Sequence, residues 1–144
     1  VSLYTDTRDA IQAVWTANWP HGTTHPVLWH SNESPQVPAP GSADHWLLLA
    51  VEFGQDSIAA YGAGRLQNDR RLTGSVVVRV FAARGEGEDT ALDLLSDAVA
   101  ALRSRRDGPL SFIGAITGID DGGSEDGNWW LRAAVIGFEF RHAG

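Results

Sequence analysis

The 144-residue chain contains no cysteine, which removes disulfides, thiolate nucleophiles and thiolate zinc sites together. Lysine is absent too: all 11 basic residues are arginines, so a P-loop lysine and a Schiff-base lysine are both excluded. Nowhere do about 18 apolar residues run together, so no membrane-spanning helix is expected. The first residues, Val1 to Asp6, lack the basic and apolar regions of a signal peptide, so secretion by a signal is not expected. Positive charge is scarce as well. Eighteen acidic residues give a formal net charge of −7, and a surface of that sign repels phosphate backbones, which disfavours tight DNA or RNA binding. What is present, 43% hydrophobic and 20% charged residues, is the composition of one globular domain over residues 1–144.

Periodicity divides the chain. From Tyr4 to Trp19, Ile11, Val14 and Trp15 recur at helical spacing, Asp6 and Asp9 can cap the start, and Trp19-Pro20 ends the helix. His21 to Ala43 holds Pro26, Pro35, Pro38 and Pro40 and reads as a long surface arm, with one short strand around Val27-Leu28-Trp29. Loops of that length are usually functional or disordered, so the arm is a candidate contact element. His45 to Phe53 reads as a strand punctuated by Gly54, and Ser57 to Tyr61 as a short second one. Arg65 to Arg71 reads as a polar loop before a valine-rich strand, Leu72 to Ala83.

A second helix follows, in which Thr90 and Asp93 resemble a capping box and Leu92, Leu95, Val99 and Leu102 form an apolar stripe. Arg103, Arg105 and Arg106 are expected in its last turn, and Asp107-Gly108-Pro109 stops it. Leu110 to Ile119 and Asn128 to His142 read as an antiparallel hairpin around the acidic loop Asp120 to Gly127. This order predicts an α+β fold: a mixed, mostly antiparallel sheet with two helices packed on one face. In the last strand one parity holds Trp130, Ala134, Ile136, Phe138 and Phe140, and the other Leu131, Ala133 and Val135. Both faces are apolar, and two helices cover one. The long loops or another subunit must shield the second, and another subunit is the simpler cover.

Residues with chemical potential form no catalytic constellation. His21, His25, His30 and His45 match no compact metal spacing, and the prolines and glycine around the first two argue against a helix that would align them. Asp120, Asp121, Glu125 and Asp126 lack the register of a calcium loop and fit a solvated turn. Gly62-Ala63-Gly64 begins like a dinucleotide fingerprint but has neither the third glycine nor a following helix. No serine stands in Gly-x-Ser-x-Gly. No catalytic residue, cofactor site or metal site is therefore expected. Of the six tryptophans, Trp15, Trp46 and Trp130 fit the core, whereas Trp29 and Trp129 are open to either core packing or an intersubunit contact.

The order of several segments resembles the phage tail terminator-like proteins, including those of phage-like gene transfer agent particles. The resemblance rests on a short first helix ending in Trp19-Pro20, then Val27-Leu28-Trp29-His30-Ser31-Asn32-Glu33 leading into the proline-rich stretch through Pro40. Trp46-Leu47-Leu48-Leu49 and Arg71-Leu72-Thr73-Gly74-Ser75-Val76-Val77-Val78 follow, then the helix opening from Gly85 to Leu95 and the aromatic closing strand Asn128 to His142. Nearly the whole chain is covered, and the order and spacing carry the likeness rather than any single motif.

The resemblance implies a small α+β virion subunit, assembled in the bacterial cytoplasm. It would form a hexameric homo-oligomeric ring at the tail-neck junction, with no enzymatic activity. Such a ring caps the tail tube protein, stops its polymerisation, meets the head-side connector or stopper protein, and lets DNA pass through its lumen without specific binding. On this reading the candidate subunit or tube contacts are Trp29, Arg70, Arg71, Trp129, Phe138 and Phe140, and Asp120, Asp121, Glu125 and Asp126 are candidates for an acidic lumen or rim. A neck adaptor or tail-completion protein is the nearest alternative. A small-molecule-binding or metal-dependent hydrolytic domain using the histidines is another.

Overall fold

The computed structural model describes residues 2–22, 25, 27–29, 45–60, 68–83, 88–123 and 129–143. In chain order these form α1 (Leu3–Asn18), β1 (Val27–Trp29), β2 (His45–Ala60), β3 (Asp69–Ala83), α2 (Glu88–Leu102), β4 (Arg106–Asp107), β5 (Leu110–Gly123) and β6 (Trp129–Ala143). The strands make one six-stranded sheet in the order β1-β2-β3-β6-β5-β4. Only β1 runs parallel to its neighbour, pairing Val27–Trp29 with Leu47–Leu49 of β2; every other pairing among the described strands is antiparallel. The α+β class and the mixed, mostly antiparallel sheet are as the sequence predicts.

α1 buries Thr7, Ile11, Val14 and Trp15, a stripe at three- and four-residue spacing. Its start differs from the expectation. Asp6 and Asp9 lie inside the helix rather than capping it, and Ser2 occupies the N-cap without a side-chain bond. The Asp6 N–H donates to the Ser2 carbonyl at 2.9 Å, and the acidic group in the first turn suits the positive end of the helix dipole. At the other end Trp19 is extended, as a residue before proline must be, while its N–H still donates to the Trp15 carbonyl.

α2 buries Ala91, Leu94, Leu95, Ala98, Val99, Ala101 and Leu102, whereas Leu92 is exposed. Leu95, Val99 and Leu102 are buried as the sequence predicts, and Ala91, Ala98 and Ala101 with Leu94 widen the stripe on the side away from Leu92. Arg103, Arg105 and Arg106 also fall outside the helix: it ends at Leu102, and Ser104, at φ 62°, turns the chain left-handed and out.

β2 is one strand where the sequence suggests two, because Gly54 sits at a bulge between Phe53 and Asp56 and pairing with β3 resumes beyond it. β3 begins at Asp69, so Arg70 and Arg71 are ladder residues rather than loop residues, paired with Ile58 and Ser57 on one side and His142 and Arg141 on the other. β5 runs on to Gly123, which places Asp120 and Asp121 in the strand rather than in a loop.

The core unites α1, α2 and one parity of the strands. Leu47 and Leu49, Val76, Val78 and Val80, Leu110 and Phe112, and Ala134, Ile136 and Phe138 form one buried cluster with Ile11, Val14, Trp15, Trp19 and the buried side of α2. Phe138 pairs with Gly74 across the β3–β6 ladder. A side chain at Gly74 would overlap the Glu52 carbonyl oxygen and approach the Phe138 ring to 2.8 Å, so only glycine lets the ring lie over the strand. Gly74→Ala is therefore expected to lose about 2–3 kcal/mol of stability, the cost of forcing atoms into a filled core. Gly114→Ala has open space at its β-carbon, and its effect should stay within about 1 kcal/mol. Urea denaturation of the two variants checks the contrast.

Candidate interaction surface

The other parity of the sheet is apolar too. Trp46 stacks on Phe81, its ladder partner, with ring centroids 3.9 Å apart and planes 2° from parallel. Val77 and Ala133 are buried beside them, and Leu48, Ala50 and Val135 are partly buried. Toward β5, Ile113 lies over Gly137, its side chain 3.3 Å from where a β-carbon would stand, and is 63% exposed. It is the most exposed large hydrophobic residue among those described. Arg79 projects among these groups, with Leu48 and Ala133 as its ladder partners. Among the described residues this second face is therefore apolar and largely buried, with Ile113 exposed at its β5 border.

Charge gathers at one end of the same sheet. On the parity shared with the core, His142 Nε2 lies 2.9 Å and Arg70 Nε 3.4 Å from the two oxygens of Asp56. On the opposite parity, Arg141 joins Glu139 at 2.7 Å and Asp69 at 2.6 Å, and Arg71 Nε stands 3.8 Å from Glu139. Burial alone would raise the Asp56 carboxyl, but the hydrogen bond and charge of His142, with the Arg70 guanidinium, outweigh it and hold the group below the usual carboxylate range.

A row of rings closes the opposite side of α1. Trp29 meets Trp15 edge-on at 6.4 Å and Trp15 stacks on Trp19 at 4.6 Å. From Trp19 the row continues to His21 at 4.8 Å, His25 at 5.2 Å and His45 at 5.6 Å. His21 Nε2 is also 2.7 Å from Asp97 Oδ2, tying the segment after α1 to α2. The structure thus brings together three histidines that spacing alone leaves apart. They run side by side instead of converging, and among the described residues no group of three His, Asp or Glu side chains could hold a metal ion. The row clamps the two points between which residues 30–44 run, β1 and the first residue of β2.

The candidate contacts sort as follows. Phe138 is fully buried in the core and presents nothing to a neighbour, a correction whose cause is its parity in β6. Phe140 and Trp29 are partly buried and pack against the same core, and Trp29 meets Trp15. Arg70 and Arg71 both face carboxylates of their own chain, Arg70 in a bond and Arg71 more loosely. Trp129 opens β6, and Asp120 and Asp121 close β5; the side chains of these three, and all of Glu125, Asp126 and His30, lie outside the described residues. Sequence reasoning missed Ile113, whose exposure follows from its position on an outer strand that pairs with β4 only at Leu110 and Ser111.

No family model matches the chain, and no curated protein matches it. A solved structure of a protein that carries no functional name aligns with it at a TM-score of 0.62 and 19% identity, over 98% of this chain and 98% of its own. At that identity the likeness establishes a shared fold across the full length.

The Asp56 cluster gives a pH prediction. A carboxyl whose folded pKa lies below its unfolded value of about 3.9 contributes stability above that pH and loses it as the pH falls through the folded value. Asp56→Asn should cost about 1–2 kcal/mol near neutrality, the worth of hydrogen bonds to a charged group. The difference from the parent chain should shrink below about pH 4. Urea midpoints measured from pH 7 to pH 3 check both statements.

Proposed function

We propose that the chain is the subunit of a tail terminator ring, which caps a phage-like tail tube, halts its growth and joins it to the head-side connector. The observation that carries this reading is the second sheet face, apolar at Trp46, Val77, Phe81 and Ala133, with Ile113 beside them 63% exposed. An apolar second face with an exposed large side chain at its border suits a contact with another copy. A ring needs a head-to-tail contact that closes under rotation, so two different surfaces of each subunit must be engaged. The second face supplies one.

Three further observations support the reading. The order of segments along the whole chain resembles that family, from Trp19-Pro20 to the aromatic closing strand. His21, His25 and His45 form a row of neighbouring rings, and among the described residues no group of three could hold a metal ion, which weakens the hydrolytic alternative. A formal charge of −7 suits a conduit, since a lumen of negative sign lets DNA slide without adhering at each step. In such a ring the capping rim matches the tube's end, and the other rim differs from the tube's own acceptor surface, so that addition stops.

Electron microscopy of particles made without this gene tests the proposal. The expected result is tails of uncontrolled length that are not joined to heads. Tails of normal, uniform length still attached to heads would contradict it. Density for the chain located at the head-side neck, away from the tube's end, would favour the adaptor alternative.

A further inference from the structure

Where α2 ends, three arginines stand together in the short sequence Arg103-Ser104-Arg105-Arg106. Their backbone is fixed. The Arg103 N–H donates to the Val99 carbonyl at 2.7 Å and the Arg105 N–H to the Leu102 carbonyl at 3.2 Å, while Ser104 turns the chain out of the helix. The Arg105 carbonyl then accepts from the Phe112 N–H at 3.0 Å, and Arg106 pairs with Ser111 in the β4–β5 ladder. The side chains are free in a way the others are not. Arg8, Arg70, Arg71 and Arg141 each meet a carboxylate of their own chain, whereas Arg103, Arg105 and Arg106 are exposed and form no ion pair among the described residues.

Arg105 and Arg106 border a groove of about 390 Å³. Ala13, Ala17 and Asn18 of α1 form one wall, and Arg105, Arg106 and Asp107 the other. The alanine side chains are short enough for a second chain to approach the helix closely, and Asp107 is the single acidic group on the lining. The result is a positive slot on a chain whose formal charge is −7.

The matching negative segment lies at the far end of the same hairpin. β5 begins beside β4 at Leu110 and closes on Asp120-Asp121-Gly122-Gly123, and Glu125 and Asp126 follow in the sequence before β6 opens at Trp129. Arg132, the ladder partner of Asp120, is the one basic residue within that stretch and its pairing partners. Fourteen strand residues at ~3.3 Å each put the two ends of β5 roughly 40 Å apart, so one copy cannot bring its own acidic end to its own slot.

We propose that the groove between α1 and the α2–β4 turn receives the acidic β5–β6 end of a second copy of this chain. The contact is head-to-tail, with slot and segment on opposite ends of each subunit, and it rests on the ring reading above while naming the surfaces that meet. It leaves the apolar second face to seal the interface and assigns the arginines to register and partner choice, the usual work of complementary charge at an interface. A contact of this kind weakens as salt rises.

Because the chain lacks cysteine, paired single-cysteine chains give a direct test. Ala17→Cys chains are mixed with Ser124→Cys chains and oxidised at low ionic strength, with circular dichroism confirming that each variant is folded. The expected result is a disulfide-linked heterodimer whose yield falls as NaCl is raised. It should drop about tenfold or more when the Ala17→Cys chain also carries Arg105→Glu and Arg106→Glu, since like charges then face one another. Asp120→Arg and Asp121→Arg on the Ser124→Cys chain should restore it. Absence of the heterodimer, or a yield indifferent to the arginine reversals, overturns the contact. If light scattering still finds a ring in that case, the contact fails and the ring reading stands; a parent chain that remains monomeric overturns both.

Discussion

The central strand β3 is buried on both of its sides, and the rest of the molecule follows from that constraint. Val76, Val77 and Val78 stand consecutively in β3 and are all buried, as are Val80, Phe81 and Ala82. Successive strand residues point to opposite faces, so an unbroken buried run requires apolar cover on each face of the sheet. On one parity the cover is the shared core of α1 and α2. On the other, Trp46, Val77, Phe81 and Ala133 are buried as well, while Ile113 at the border of that face is 63% exposed.

Polar chemistry is arranged around that apolar centre. The charged end of β2, β3 and β6 places Asp56, Arg70 and His142 on one parity and Asp69, Arg71, Glu139 and Arg141 on the other, so long strands end in mutual cross-strand pairs. The exposed pairs of Arg141 add little stability individually, in contrast to the part-buried Asp56 group. Their consequence lies in charge balance: the arginines of this end are engaged within the chain, whereas those beyond α2 form no ion pair among the described residues. At the start of β2, the row from Trp29 to His45 ties α1, β1 and β2 together, and His21 adds α2 through Asp97.

Much of this is legible in the sequence where a single period dominates. The α1 stripe of Ile11, Val14 and Trp15, the valine run of β3 and the β5–β6 hairpin are read directly. Errors arise where composition imitates another state. Gly54 looks like a strand end because a glycine bulge and a glycine turn share a residue type, and Arg70 and Arg71 look like a loop because a polar strand end lacks the apolar alternation that marks a strand. Leu92 reads as a core residue by leucine spacing alone, and Ala91, Ala98 and Ala101 on the buried side of α2 turn it outward. Phe138 as a contact fails for a different reason, and the closeness of His21, His25 and His45 goes unread for the same one. Parity relative to the helices and proximity across β1, β2 and α1 are tertiary facts, and local spacing does not encode them.

The account depends on the second sheet face being an intersubunit surface. The mass of the purified chain in solution, measured by light scattering over a range of concentrations, tests this most directly. A closed ring of six 15.5 kDa subunits would give ~93 kDa, with the apparent mass rising toward that value as concentration increases. A mass fixed at 15.5 kDa throughout would contradict the ring, because the second face would then meet no other copy.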